Sequence, residues 1–569
     1  MKHLLSTLLF LSFCYSSIAQ NLILKINSAS ENESRIIDSL QYNTSHTTVA
    51  SIEKEVLVTA KKLEKTGYLE NYSSRIEKKN DSLFMVQFYL KNQTKYSYIY
   101  VGRNPDLQHL LGAQTNKDTI VLKYKETVPF LEEAIKKMEQ KGYSLAKLQL
   151  INIKRKKDKL YAELDIKKNT QRKINTIVLK FKDEQKKDNF FPANYLHQIN
   201  KKFKSKIFNQ ETLQKLKTEF DKYLFVRQSK APELLFSKDS TQIYVYLEKS
   251  KANSFDGYIG FGDNKEKKTT LNGYLDVQLH NLLKGGEDFF VYWKSDGNNQ
   301  KTFRTGITLN YLFKTPLGIK TQLHIFKQDS TFQNAKTFID VHYLLQYNTK
   351  LFLGVESTVS SDIQNSNSSV SDYNNQFVTT GLYYTKDESN NPFFPEKTNI
   401  DLRIGTGKRT MPSGVTNSPS EKQLFVSLNV SHHLYFNPKN SISLRSQNFY
   451  LKSNTYLTNE LFRFGGLYSI RGFGENSLQG SLVSALLSEY RHIVNSSLYF
   501  HSVLDYAVYK DNSSLTSSNK FNELTSIGIG IGLLTKNGLL KFSIANGQSN
   551  YNDLKIYNSI VNICYNVKF

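Results

Sequence analysis

The chain has 569 residues, a formal net charge of +24 and a mean hydropathy of −0.47. That length exceeds the usual single domain. The hydropathy, with no apolar run of about 18 residues beyond the N-terminus, excludes a bundle of transmembrane helices.

At the N-terminus, Lys2 and His3 precede an apolar run from Leu4 to Phe13. Ser17-Ile18-Ala19 then offers small residues at the −3 and −1 positions. This pattern predicts a secretory signal peptide over residues 1–19. A lipoprotein reading needs a small residue ahead of Cys14, and Phe13 stands there. Removing the signal leaves Cys564 as the one cysteine, so folding does not depend on an internal disulfide. An exported chain without a spanning helix is either soluble or a β-barrel.

Three twelve-residue segments then recur: Asp81–Asn92, Asp158–Asn169 and Asp239–Ser250. Their starts lie 77 and 81 residues apart. Each follows an amphipathic helix pattern. The first carries Ile52, Val56, Ala60 and Leu63, the second Leu131, Ile135 and Met138, and the third Leu213, Leu216 and Phe220. The first two helices stop at Gly67 and Gly142, and the third ends at Tyr223 without a glycine. Helix and strand repeating at this period predict three small α+β modules, over 20–103, 104–170 and 171–251. Residues 21–46 read as a strand-like Leu22–Ile26 and a polar stretch.

Residues 101–250 hold 32 Lys and Arg against 18 Asp and Glu, densest at Lys154-Arg155-Lys156-Lys157. Nucleic-acid binding does not follow, because the chain is exported and carries no nucleic-acid motif. A solvated face near an anionic membrane or acidic clients accounts for such charge.

After Lys251 the period becomes two. Leu271, Leu275, Val277 and Leu279 alternate with Asn272, Asp276 and Gln278. Phe303, Ile307, Leu309, Tyr311 and Phe313 alternate with Arg304, Thr308 and Asn310. Val561, Ile563, Tyr565, Val567 and Phe569 alternate with Asn562, Cys564, Asn566 and Lys568. Segments of about ten residues, apolar toward lipid and polar toward a lumen, predict a transmembrane barrel over 252–569. About 315 residues at roughly 20 per strand and connection correspond to about 16 strands. A β-sandwich also alternates, but the signal peptide and the abundance of Tyr and Phe favour the barrel.

No catalytic constellation is present. There is no nucleophile elbow, no His/Cys metal spacing and no phosphate-binding glycine loop. The reading is a non-enzyme with no cofactor and no metal.

Residues 462–480 stand apart. They contain Gly465, Gly466, Gly472, Gly474 and Gly480 around Ile470-Arg471-Gly472-Phe473. Hairpin loops are commonly about 2–5 residues, so this connection is either floppy or folded into something, and its single central arginine, Arg471, favours the second.

The stretch resembles the Ile/Val-Arg-Gly-Phe/Tyr signature of the outer-membrane insertase superfamily, which includes BamA, TamA and the two-partner secretion transporters. Further segments resemble it too. Tyr384–Pro395 is similar to its Asp-x-x-x-Asn-Pro-x-x-Pro segment, with Ser389-Asn390 and Thr398 departing from the pattern. Ser484–Val494 is similar to its Leu-Glu-Leu-Arg strand through Glu489 and Arg491. Val503–Ala507 resembles its Phe-x-Asp-x-Gly strand, and Ser526–Gly547 its glycine ladder. Phe569 resembles its terminal aromatic signal.

The resemblance implies a β-rich fold: α+β POTRA repeats, then a 16-stranded antiparallel transmembrane barrel whose arginine loop lies in the lumen. It implies an outer-membrane barrel with periplasmic repeats, no nucleic acid, and unfolded β-barrel or secreted proteins as clients. The repeats either dock clients or periplasmic accessory proteins, or act as spacers. Arg471 needs a carboxylate on the wall; Asp505 and Glu489 are the candidates, and the family pattern favours Asp505. The lateral seam is expected between a first strand around Gly257, Gly260 and Gly262 and a last strand ending at Phe569. An insertase with three repeats, TamA-like in layout, is the leading reading. A two-partner secretion transporter and a passive porin are the alternatives.

Overall fold

A computed structural model describes residues 21–102, 118–181, 189–238, 240–263, 269–296, 300–329, 331–364, 370–387, 391, 393–394, 396–412, 420–513, 520–536, 538–550 and 559–568. The signal peptide expected over 1–19 and the terminal Phe569 lie outside them. The chain divides into two compact units, 1–173 with 206–213, and 174–205 with 214–569.

The first unit holds two sheets. One is built from β1 (Leu22–Ser28), β2 (Ser45–His46), β3 (Tyr72–Ser73), β4 (Glu77–Lys78) and β5 (Leu83–Tyr89), with helices α1 (Glu31–Ser39) and α2 (Val49–Lys65). A capping box between Thr48 and Ser51 starts α2. Its Ile52, Val56 and Leu63 pack on Leu24, Ile26, Val86 and Phe88. The other sheet holds β6 (Tyr96–Tyr100), β7 (Thr119–Lys123), β8 (Lys147–Lys156) and β9 (Lys159–Lys167), with α3 (Thr127–Gln140).

The second unit opens with a third sheet: β10 (Thr176–Phe181), β11 (Val226–Gln228), β12 (Glu233–Phe236) and β13 (Thr241–Lys249), with α4 (Ala193–Phe203) and, from Gln214 onward, α5 (Gln210–Phe220). In all three sheets the first strand runs parallel to the last: β1 beside β5, β6 beside β9, β10 beside β13. Parallel neighbours need a long crossover, which the intervening segments supply.

The structure corrects three readings of the sequence. Strand β6, assigned above to the first repeat, pairs with β9 and so belongs to the second sheet. The stretch after Ile26 contains α1, started by Ser30 as its cap and anchored by the fully buried Ile37. Helix α4 was not anticipated; its stripe of Tyr195, Ile199 and Phe203 is buried.

Sixteen strands then close into an antiparallel barrel. They are β14 (Ser254–Asp263), β15 (Thr269–His280), β16 (Asp288–Asp296), β17 (Gln300–Leu309), β18 (Leu317–Gln328), β19 (Phe332–Gln346), β20 (Thr349–Asp362) and β21 (Tyr373–Asp387). They continue with β22 (Glu396–Thr410), β23 (Ser420–Tyr435) and β24 (Asn440–Lys452). Between β24 and the next wall strand, β25 (Phe462–Phe464) and β26 (Leu478–Gly480) form a separate hairpin. The wall resumes with β27 (Leu482–Ile493), β28 (Leu498–Lys510), β29 (Asn522–Leu534), β30 (Gly538–Ser549) and β31 (Ile560–Lys568).

Alternation on the wall is inverted relative to a soluble protein. On β20, Leu351, Leu353, Val355 and Val359 are exposed, while Glu356, Thr358 and Ser360 are buried. On β31, Val561, Ile563 and Tyr565 face out. Polar inside and apolar outside suits a lipid surround and a closed ladder. At the end where β14 leaves the third module, connections are short, such as 347–348 and 436–439. The longest connection, 453–481, lies at the opposite end.

The 303–313 alternation overruns its strand. Strand β17 stops at Leu309, and Tyr311 and Phe313 sit in a turn with φ of 57° and 52°. Tyr311 is buried against Tyr195 of α4, with ring centroids 4.8 Å apart. Packing of the third module on this turn takes the ring that alternation assigns to lipid.

Candidate functional site

The 453–481 connection folds back onto the inner wall of β27 and β28. Inward positions there are apolar where the loop lies. Val483, Ala485, Leu487 and Ala507 meet Phe464 and Ile470 in a small core inside the lumen. Ile470 has no exposed surface. Burial of that one side chain is worth about 1.5–3 kcal/mol and helps offset the cost of ordering the loop.

Next to Ile470, Arg471 reaches both wall carboxylates. Its Nε donates to Asp505 Oδ2 at 2.8 Å, its Nη2 to Asp505 Oδ1 at 2.5 Å, and its backbone N–H to Asp505 Oδ2 at 3.1 Å. Nη1 donates to Glu489 Oε1, and Nη2 also reaches the Ser488 carbonyl at 3.2 Å. Arg471 is 5% exposed and Asp505 fully buried. A guanidinium fork satisfies this geometry, and an ammonium cannot.

Glu489 is shared. Arg491 donates to its Oε2 from Nε at 2.8 Å and Nη2 at 2.6 Å. The Arg491 guanidinium lies 4.1 Å from the Phe394 ring centroid. Asp505, Glu489 and Arg491 all occupy inward positions on adjacent strands.

Gly472 has φ +79°, and a Cβ there would lie 2.5 Å from the backbone of Asn546 and Gly547 on β30. A side chain is excluded both by conformation and by space. Gly472→Ala is therefore expected to unseat the loop. Limited proteolysis of the folded barrel checks this: cleavage within 462–480 should rise, and an unchanged digest would count against the close approach. Phe473 packs against the lumen core, and its ring fills the space over Gly547.

Sequence reasoning missed a second tether on the same loop. Arg409 of β22 donates to Glu460 Oε1 at 2.5 Å, to Glu421 Oε2 at 2.5 Å and to Thr455 Oγ1 at 2.5 Å. Asn459 accepts from Asn334 at 2.6 Å and Tyr373 at 3.1 Å through its carbonyl, and donates to Ser360 at 2.8 Å. The loop is thus pinned to strands β19–β22 of the wall as well as to β27 and β28. Inward-facing alternation on β22 and β23 carried the only signal for Arg409.

The seam lies between β14 and β31. It holds three register pairs, Ser254 with Lys568, Phe255 with Val567 and Asp256 with Asn566. Among the described residues every other neighbouring pair in the wall holds eight or more. Of the glycines expected at the seam, Gly257, Gly260 and Gly262 lie on β14 beyond the last pair. A cavity of about 550 Å³ is lined by Arg471, Glu489, Lys541, Cys564, Asn566 and Asp256, so the arginine cluster and the seam border one space.

No family model matches the chain, and no curated protein does. Solved structures do. BamA from Haemophilus ducreyi lacking POTRA domains 1-3 superimposes with a TM-score of 0.50 at 13% identity, over 82% of this chain and 98% of that one. CdiB from Escherichia coli gives 0.50 at 14% identity, over 95% and 98%. The fold is the one these two proteins share, a 16-stranded antiparallel barrel following α+β modules.

Proposed function

We propose that this chain is an outer-membrane assembly or translocation factor, with its barrel in the outer membrane and its three modules in the periplasm. It inserts client proteins through the β14–β31 seam, and the modules dock extended clients or accessory proteins at their sheet edges. The observation that carries this reading is the three-pair seam in an otherwise fully laddered wall. In hydrocarbon an unpaired backbone group costs several kcal/mol, so a wall that leaves strand edges unladdered is poised to accept another strand. The client folds against the edge without exposing bare backbone, and its own folding supplies the free energy. The arginine loop, held by Asp505 and Glu489, keeps the lumen side of that edge in shape.

Passage of an unfolded client through the lumen is the second reading. Against it, α1 is part of the first module's core through Ile37, not a plug helix in the barrel, and the loop occupies the lumen at two anchored points.

The test is a lock. Phe255→Cys with Val567→Cys, in a Cys564→Ser background, places a disulfide across the seam. Purified protein in lipid vesicles is given a urea-unfolded small outer-membrane barrel, and insertion is read by protease protection. Oxidation should reduce insertion to the level of protein-free vesicles, and reductant should restore it. Full insertion by the oxidised form would refute the lateral route.

A further inference from the structure

The seam stops abruptly after its third pair, at a residue the sequence reading passed over. Asp256 is 5% exposed and points into the barrel. Its Oδ1 accepts from the Tyr565 backbone N–H of β31 at 3.3 Å and from the Tyr274 hydroxyl of β15 at 2.6 Å. Continued in register, the ladder would set Tyr565 opposite Gly257, and a β14 carbonyl would take that N–H. The carboxylate takes it instead. Immediately after it, β14 runs so close to β15 that a Cβ on Gly257 would lie 2.4 Å from the Tyr274 carbonyl oxygen. The strand is therefore held toward β15 and away from β31 at the residue following the carboxylate.

We propose that Asp256 is a positioning residue that ends the seam: its carboxylate replaces a β14 carbonyl as the acceptor for Tyr565 and so holds the seam at three pairs, leaving the rest of both edges open. This rests on the reading of the seam as the route for clients, and it names the residue that determines how much of the edge is offered. Three features make it a stop and not an incidental contact. The orphaned donor at the fork is satisfied by a side chain, as an unzipped ladder end in a low-dielectric wall requires. The carboxylate is fixed from the other side by Tyr274 of the neighbouring strand β15. The next residue is a glycine where a side chain would push β14 off β15.

The test reads seam length directly, in detergent, without a client. Cysteines are placed in the Cys564→Ser background either at 255 and 567, inside the paired segment, or at 259 and 563, where an extended ladder would bring them opposite. In the otherwise native barrel the first pair should crosslink and the second should not. Asp256→Ala removes the competing acceptor. Crosslinking at 259 and 563 is expected to rise roughly fivefold, the factor carried by about one net hydrogen bond, with the 255 and 567 yield unchanged as the control for folding. Asp256→Asn keeps the acceptor oxygen and should behave as the native residue. An Asp256→Ala yield at the native level overturns the assignment, and so does an equal rise in Asp256→Asn. Because no client is involved, a positive result here would stand even if the locked seam still inserted clients, so the two readings fail separately.

Discussion

Arg471→Ala is expected to destabilise the barrel by about 3–5 kcal/mol, the cost of leaving one member of a buried pair uncompensated. The penalty falls chiefly on Asp505, which is fully buried and would retain, among the described residues, two backbone donors, Ser488 N–H at 3.2 Å and the residue 471 N–H at 3.1 Å. Glu489 suffers less, because Arg491 still donates to it twice. Arg471→Lys should recover little, since one ammonium cannot span the fork to Asp505 and reach Glu489 as well. Asp505→Ala is expected to cost less than Arg471→Ala, because Glu489 continues to neutralise the guanidinium. The pair in combination should show a coupling of about 0.5–3 kcal/mol. Trp293, the one tryptophan, sits on β16 and reports urea unfolding of the barrel in vesicles by its fluorescence. Strictly additive losses across the cycle would remove the Arg471–Asp505 pair as a tether.

Tyr195→Ala is expected to release the third module from the barrel turns, at a cost of about 3–5 kcal/mol for a fully buried aromatic ring. The Tyr195 ring contacts Phe191, Tyr223, Phe225, Tyr311 and Tyr347. Its hydroxyl donates to the Gly286 carbonyl at 2.6 Å and accepts from Asn310 at 3.1 Å. Burial pushes that hydroxyl's pKa well above the ordinary phenol range, so it remains a donor at any working pH. Gly286 has φ +79°, and a Cβ there would lie 2.2 Å from the Tyr195 ring, so the turn and the tyrosine are matched in shape. Tyr195→Phe keeps the ring and loses the hydrogen bonds, at about 1–3 kcal/mol for partners left unsatisfied. Hydrogen exchange across residues 193–203 is the measurement. Amide exchange in α4 should accelerate more than about a hundredfold in Tyr195→Ala, the equivalent of about 2.7 kcal/mol or more. Exchange within threefold of the native protein would show that the joint is carried elsewhere.

Period-two alternation made the barrel legible. It separated Asp505, Glu489 and Arg491 from the apolar residues beside them, and so confined the partners of Arg471 to inward positions. It did not choose between Asp505 and Glu489, and the structure brings Arg471 to both. The stagger of β27 against β28 sets Leu487 opposite Asp505 and Glu489 opposite Val503, so the two carboxylates fall within one guanidinium's span. The same alternation misassigned Tyr311, because a strand's pattern continues into a turn without marking where the ladder ends. Arg409 and Glu460 lie 51 residues apart in the chain, and nothing local links them.

The amino-acid order by itself determined the apolar stripes of the modules' helices α2, α3 and α5, the inverted faces of the wall and the anomalous glycine-rich connection. These depend on side-chain spacing along one element, which is written residue by residue. Tertiary structure alone decided how many pairs the closure holds, which acceptor stands at its fork and which turns receive Tyr195. Those follow from the stagger accumulated around sixteen strands and from the seating of a separate module, and no window of sequence contains either.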